Sequence, residues 1–181
     1  MKKILFLVGS LRDGSFNLQV AKEVEALLSG KAEVSYLDYS DVPFFNQSSE
    51  YPAPDAVTRV RKTVEEADGV WVFTPEYNQS YPGQVKNVID WLSRPLKPYD
   101  FETPTVISGK KVALTGAGGN QATRFVREKL VELFTFIGAE VLVTQTGIVL
   151  GEEAWTKGIV FLTEENKKNL TAQIDAFLNY I

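Results

Sequence analysis

Histidine and cysteine are both absent from the 181 residues. Their absence removes disulfide frameworks, thiolate nucleophiles, Ser-His-Asp triads, histidine general bases and nearly every zinc geometry at once. Long apolar runs are missing too: Ile4 to Val8, behind Met1-Lys2-Lys3, is too brief for a signal peptide's apolar region or a membrane span. The expectation is a cytoplasmic protein with no membrane partner, and the Asn-x-Ser/Thr triplets at Asn46, Asn78 and Asn169 are then chance. Basic runs never exceed two residues, and 19 Lys+Arg against 23 Asp+Glu leave a net charge of −4, which argues against nucleic acid as a main partner.

What is present reads as one soluble domain over residues 1–181, with 44% hydrophobic residues. A chain of this length buries roughly 70% of the surface its unfolded form exposes, enough for a core without staples. Short β-branched apolar runs at Ile4 to Val8, Val70 to Phe73, Val112 to Leu114 and Val141 to Val143 have the look of buried parallel strands. Glu33 to Leu37 begins with alternation and reads as an outer strand. Helical periodicity fills the gaps, in Val20, Val24, Leu27 and Leu28, in Val57, Val60 and Val64, and in Val85, Val88, Ile89 and Leu92. It returns in Val126, Leu130, Leu133, Phe134 and Ile137, and again from Leu170 to Ile181. Strict alternation of strand and helix predicts an α/β, doubly wound domain: five parallel strands with helices on both faces and right-handed crossovers. Ligands of such sheets bind beyond the carboxyl ends of the strands, at the switch point, so the loops after Val8, Phe73 and Leu114 carry the chemistry.

The first loop runs Gly9-Ser10-Leu11-Arg12-Asp13-Gly14-Ser15-Phe16-Asn17. Its glycines permit tight turns, Ser10, Ser15 and Asn17 can hydrogen-bond an anion, Arg12 offers a forked cation, and a helix N-terminus follows with unpaired N–H groups. A phosphate would suit it. The Gly9 to Gly14 spacing imitates a nucleoside-triphosphate loop, but Ser15 stands where the lysine should be and Phe16 where the magnesium-binding hydroxyl should be. Nor does it fit the G-x-G-x-x-G dinucleotide pattern. The plainer alternative is that Ser15 and Asn17 cap the helix and Arg12 is a solvated charge.

The second loop, Thr74-Pro75-Glu76-Tyr77-Asn78-Gln79-Ser80-Tyr81-Pro82-Gly83, combines a rigid proline, two flat aromatic faces and the two-way amide of Asn78. Together they suit a planar heteroaromatic with a polar edge; a polar surface turn is the alternative. The third, Thr115-Gly116-Ala117-Gly118-Gly119-Asn120-Gln121, offers bare backbone against which a ligand could lie, or is simply a flexible turn.

Taken together, Gly9-Ser10-Leu11-Arg12…Ser15…Asn17, Pro75-Glu76-Tyr77-Asn78 and Pro82-Gly83…Lys86-Asn87…Ile89-Asp90-Trp91-Leu92-Ser93-Arg94-Pro95 resemble the NADPH-dependent FMN reductase family, from Met1 to about Ile137. That group also includes quinone, chromate and azo-dye reductases. The resemblance implies a flavodoxin-like fold with strand order 2-1-3-4-5 and FMN as cofactor at the switch point, with NADPH or NADH as hydride donor. By the same resemblance Ser10, Arg12, Ser15 and Asn17 hold the FMN phosphate, and Pro75, Glu76, Tyr77 and Asn78 line the ribityl chain and ring. Gly116, Ala117, Gly118 and Gly119 approach from the other side. A Glu76 carboxylate beside a phosphate would be repelled, so its side chain is expected to serve structure or a partner subunit.

The implied activity is hydride transfer from NAD(P)H onto FMN and onward transfer to a quinone, azo compound, oxidised metal or free flavin. No catalytic side chain and no metal are expected, because the cofactor carries the chemistry. A non-enzymatic flavodoxin-type electron carrier and an FMN-binding regulatory module are the alternatives. Against the carrier, the loop holds Arg12 and the net charge is only −4. A homodimer or dimer-based tetramer is a further implication. Trp91 to Arg94, Tyr99 and Phe101 read either as aromatic-plus-Arg interface or, for Trp91, as core. Arg12, Lys86, Arg124 and Arg127 all lie near the loops and could each meet a 2′-phosphate of NADPH.

Overall fold

The computed structural model describes all 181 residues. Strand β1 (Lys2–Val8) leads through the first loop into α1 (Phe16–Leu28), then β2 (Ala32–Tyr36), α2 (Asp55–Glu66), β3 (Gly69–Thr74) and α3 (Gly83–Leu92). Strand β4 (Lys111–Gly118), α4 (Arg124–Phe136), β5 (Glu140–Val141), β6 (Thr146–Val149), α5 (Glu152–Lys157) and α6 (Glu164–Tyr180) complete the chain. The sheet is parallel throughout, in the order β2-β1-β3-β4-β5, with β6 also pairing β4.

The expected order is thus present, with one change: the fifth strand is split. β5 pairs with the start of β4 at Lys111 and Val112, and β6 with its end from Thr115 to Gly118. Val143, expected inside a buried strand, falls in the break between the two and is 93% exposed. The split lies at the sheet's edge, where only one neighbouring strand is present to hold the chain in register.

Central strands bury both faces. Leu5, Leu7, Val70, Val72, Val112 and Leu114 pack under α2, α3 and α4, while Ile4, Phe6, Trp71, Phe73 and Ala113 pack under α1 and α6. Two-sided burial is why these strands read as continuous apolar runs rather than alternating ones. Each large apolar side chain fully buried there contributes about 1.5–3 kcal/mol. A buried polar chain pins α6 to the sheet: Trp71 Nε1 donates to Thr115 Oγ1 (2.9 Å), which donates to Gln173 Oε1 (2.8 Å), and Gln173 Nε2 donates to Leu114 O (2.9 Å). No helix is long and apolar enough to cross a membrane.

Trp91 belongs to this core. It is fully buried, and its indole N–H donates to Pro43 O at 2.8 Å. Arg94 turns back onto the buried Glu50, with Nε 2.7 Å from the carboxylate. Of the aromatic surface expected here, only Tyr99 and Phe101 remain exposed.

Candidate functional site

The three loops converge at the carboxyl end of the sheet because β1, β3 and β4 are adjacent there. Gly9 N donates to Phe73 O at 2.7 Å, tying the start of the first loop to β3. Tyr39, from the loop after β2, donates its hydroxyl to Val8 O at 2.6 Å. Burial, and then the neighbouring Tyr77, push the Tyr39 hydroxyl above its ordinary range, so it stays a neutral donor.

Between the loops lies a cleft of about 240 Å³. Ser10, Arg12, Ser15 and Asn17 line it from the first loop, Pro75, Glu76 and Tyr77 from the second, and Ala117, Gly118 and Gly119 from the third. Asn78 and Gly116, also expected at the site, do not line it. Phe16, Leu150 and Trp155 complete the wall. Phe16 sits inside the motif and was legible only as a missing metal-binding hydroxyl; Trp155, a lone aromatic in a six-residue helix, offered no pattern at all.

Arg12 is exposed and forms no ion pair. Its guanidinium donates to Asp13 O (3.3 Å) and Gly14 O (3.1 Å) and lies 4.7 Å from the centre of the Phe16 ring. Lys86 is held by Asp90 and Arg124 by Glu128, while Arg127 turns inward to Gln145 and Ala122. Of the four cations near the loops, Arg12 alone lines the cleft. Ser15 caps α1 by accepting from Leu18 N at 3.4 Å, leaving the N–H groups of Phe16 and Asn17 without a protein acceptor. These orphan donors and the positive end of the helix favour an anion.

Asn17 does something the sequence did not suggest. It is buried, its Nδ2 donates to Ala117 O at 3.1 Å, and its Oδ1 accepts from Ala117 N at 2.9 Å. Strand β3 pairs with β4 only as far as Thr74 opposite Gly116. One residue further on, the side-chain amide stands in for the peptide that β3 no longer supplies. The helix-cap reading holds for Ser15 and fails for Asn17.

Glu76 lines the cleft but spends one carboxylate oxygen on α4. Its Oε2 accepts from Val126 N at 3.0 Å, the third residue of α4, where the helix dipole favours a negative charge. The structural role expected for it is the one observed. Beyond it the loop is a two-residue hairpin, with Tyr77 and Ser80 exchanging backbone bonds (3.0 and 2.9 Å) and Asn78 and Gln79 at φ 52° and 58°. Asn78 therefore stands exposed at the tip.

The third loop is shorter than its glycines suggested, because β4 runs on to Gly118 and pairs there with β6. Gly116 is required by packing: a Cβ at that position would lie 2.1 Å from Thr123 Oγ1 and 2.7 Å from Thr74 O. Ala122 and Thr123 reach in with positive φ (46° and 58°). Gly119, by contrast, has nothing within 4 Å of a Cβ position and faces open space.

A sequence model described as NADPH-dependent FMN reductase matches residues 2–156. A 2-hydroxy-1,4-benzoquinone reductase of Burkholderia is 38% identical over 93 residues, covering 51% of each chain. An NAD(P)H:quinone oxidoreductase of Solanum tuberosum is 40% identical over 122 residues, covering 65% of this chain and 59% of the plant protein. The chain thus aligns with between about half and three fifths of these relatives' length. Among solved structures, FerB, a flavoenzyme NAD(P)H:(acceptor) oxidoreductase of Paracoccus denitrificans, superposes with a TM-score of 0.86 at 32% identity, covering 99% of this chain and 97% of that one.

Proposed function

The chain belongs to the NADPH-dependent FMN reductase family, and from that premise we propose that it is an FMN-dependent oxidoreductase that draws hydride from NAD(P)H and delivers electrons to a small quinone-like, azo, oxidised-metal or free-flavin acceptor. The observation that carries this reading is the cleft itself. It brings together one unpaired guanidinium, two serine hydroxyls and two orphan helix N–H groups with Pro75, Tyr77 and the bare backbone of Gly118 and Gly119.

Those residues fit the cofactor. Ser10, Arg12, Ser15 and the first N–H groups of α1 would hold its phosphate; net hydrogen bonds to a charged group contribute about 1.5–3 kcal/mol each. Glu76 forms no ion pair with Arg12, and its Oε2 is taken up by Val126 N of α4. About 240 Å³ is below the roughly 300–1,000 Å³ of complete small-molecule sites, so a bound FMN would extend beyond the cleft.

When bound, FMN supplies the hydride acceptance and onward electron transfer. The protein's part is to orient two planar reactants and to aim backbone N–H donors at developing negative charge. No side chain in the cleft is placed as a general acid or base in this reading, which suits a chain without histidine or cysteine.

The same reading makes the protein a cytoplasmic homodimer or dimer-based tetramer. For the oligomer, the support is a groove between Ser80–Tyr81, just after the hairpin tip, and α4, where Phe136 is 87% exposed. Light scattering at micromolar concentration checks it, a monomer counting against.

The function is tested by the visible spectrum of the purified protein with added FMN, before and after anaerobic NADPH. Binding followed by bleaching is the expected result. Binding without bleaching would favour a carrier or regulatory module, and no binding would overturn the reading.

A further inference from the structure

We infer that Trp155, on α5, is a positioning residue that sets the affinity of the cleft for the phosphate end of its ligand by holding Arg12 in place through Phe16. The inference rests on the proposed reading of the cleft as an FMN site.

Arg12 has no carboxylate to hold it. A long, exposed side chain of this kind loses rotamer freedom when it is ordered, and that cost falls on ligand binding unless the protein has met it beforehand. Two carbonyls of its own loop and the face of Phe16 are what restrain it. Phe16 is in turn braced by Trp155, the two rings meeting edge to face with centroids 5.5 Å apart at 81°. Trp155 is 61% exposed, yet its orientation is fixed, since Nε1 donates to Leu150 O at 3.3 Å. A large aromatic left mostly in water but pinned by its one polar atom is placed for its edge, not for burial.

A second tie runs in parallel. Gln19 on α1 donates from Nε2 both to Gly14 O (3.1 Å), which Arg12 also binds, and to Gly158 O (2.8 Å) just past α5. Its Oε1 accepts from Val160 N at 2.9 Å. The C-terminal segment thus grips the first loop at its backbone through Gln19 and at its cation through the aromatic pair. The backbone grip fixes a carbonyl that Arg12 binds, and the ladder Trp155–Phe16–Arg12 fixes the ring face against which the guanidinium lies.

The test compares FMN with riboflavin, which lacks the phosphate, by fluorescence titration of wild type, Trp155→Ala, Trp155→Phe, Arg12→Gln and the Arg12→Gln/Trp155→Ala double variant, with melting temperatures alongside. Trp155→Ala is expected to weaken FMN about three- to tenfold, the worth of one aromatic pair and one exposed cation–π contact, and to leave riboflavin within about twofold. Trp155→Phe should restore most of the loss, and Trp155→Ala should cost nothing further once Arg12 is Gln. Equal weakening of both flavins, an unchanged FMN-to-riboflavin ratio, or an undiminished loss in the Arg12→Gln background would overturn the inference while leaving the proposed function intact. If wild type binds neither flavin, the proposed function falls and this role of Trp155 with it.

Discussion

Replacing Asn17 by Ala should destabilise the protein even with no ligand present. The substitution removes both partners of the Ala117 peptide group, at 2.9 and 3.1 Å, where Asn17 and Ala117 are each 2% exposed. A buried backbone donor or acceptor left unsatisfied costs about 1–3 kcal/mol. Two are orphaned beside a cleft that Ala117 lines, so the expected cost is roughly 2–4 kcal/mol. For a domain of this size each kcal/mol lowers the melting temperature by roughly 2–4 °C, which gives a fall of roughly 5–15 °C by circular dichroism on flavin-free protein.

Asn17→Asp sharpens the test. A protonated carboxyl can replace the amide atom for atom, accepting from Ala117 N and donating to Ala117 O. An ionised one sets a negative oxygen against the carbonyl in a buried site, so its pKa in the folded state is raised above the unfolded value of about 3.9. The variant should match wild type below that value and lose stability as pH rises through the folded pKa, with the gap fully open at neutral pH. An Asn17→Ala variant melting within about 2 °C of wild type, or a wild type–Asp gap that does not widen from pH 4 to 7, would refute the account.

Gly116→Ala forces a Cβ against Thr123 and the Thr74 carbonyl, which should cost about 1–3 kcal/mol of flavin-free stability, whereas Gly119→Ala meets open space and should leave the melting temperature unchanged while weakening FMN in titration. Between β2 and α2, burial alone would lift the Glu50 carboxyl, but hydrogen bonds and charge from Arg94, helped by Tyr51 and Arg61, hold it below the usual carboxylate range. Its contribution is therefore present above the unfolded pKa and lost as pH falls through the lower folded value. Glu50→Gln should cost about 2 kcal/mol near neutrality, less than a fully buried pair because Arg94 is 32% exposed, and melting curves should show the gap to wild type closing in acid.

How much of this was legible in the sequence depended on whether the deciding contacts were local. β1 and β3 announce themselves because burial on both faces demands unbroken apolar residues. The helices α1 to α4 and α6 carry a 3.6-residue stripe long enough to see. The end of the sheet carries no such mark: Val141 to Val143 has the composition of a core strand, yet pairing with β4 stops at Val141 and Val143 falls, in water, in the break before β6. α5 is too short for any period to show. Glu76 could be read in part, since charge repulsion from a phosphate follows from its position, but its acceptor role at α4 depends on a residue 50 positions away.

The three loops were legible as places and less so as roles, and the difference has one physical origin. Backbone groups that face a ligand must be held rigidly to be useful, and the side chains that hold them spend their polar atoms on the protein. Asn17 completes the β4 ladder, Glu76 caps α4, Thr123 fills the slot that Gly116 and Gly118 leave open, and Gln19 ties Gly14 to the segment beyond α5. A motif of Ser, Asn, Glu and Gly therefore looks like a list of ligand contacts when part of it is the frame. In a chain with neither histidine nor cysteine the frame matters more than usual, because the cleft offers a single unpaired cation and otherwise hydroxyls and main-chain N–H groups whose direction is their only variable. Substitutions in the frame should change affinity and flavin-free stability together, whereas Arg12 should change affinity alone; the ratio of the two effects, residue by residue, separates frame from contact.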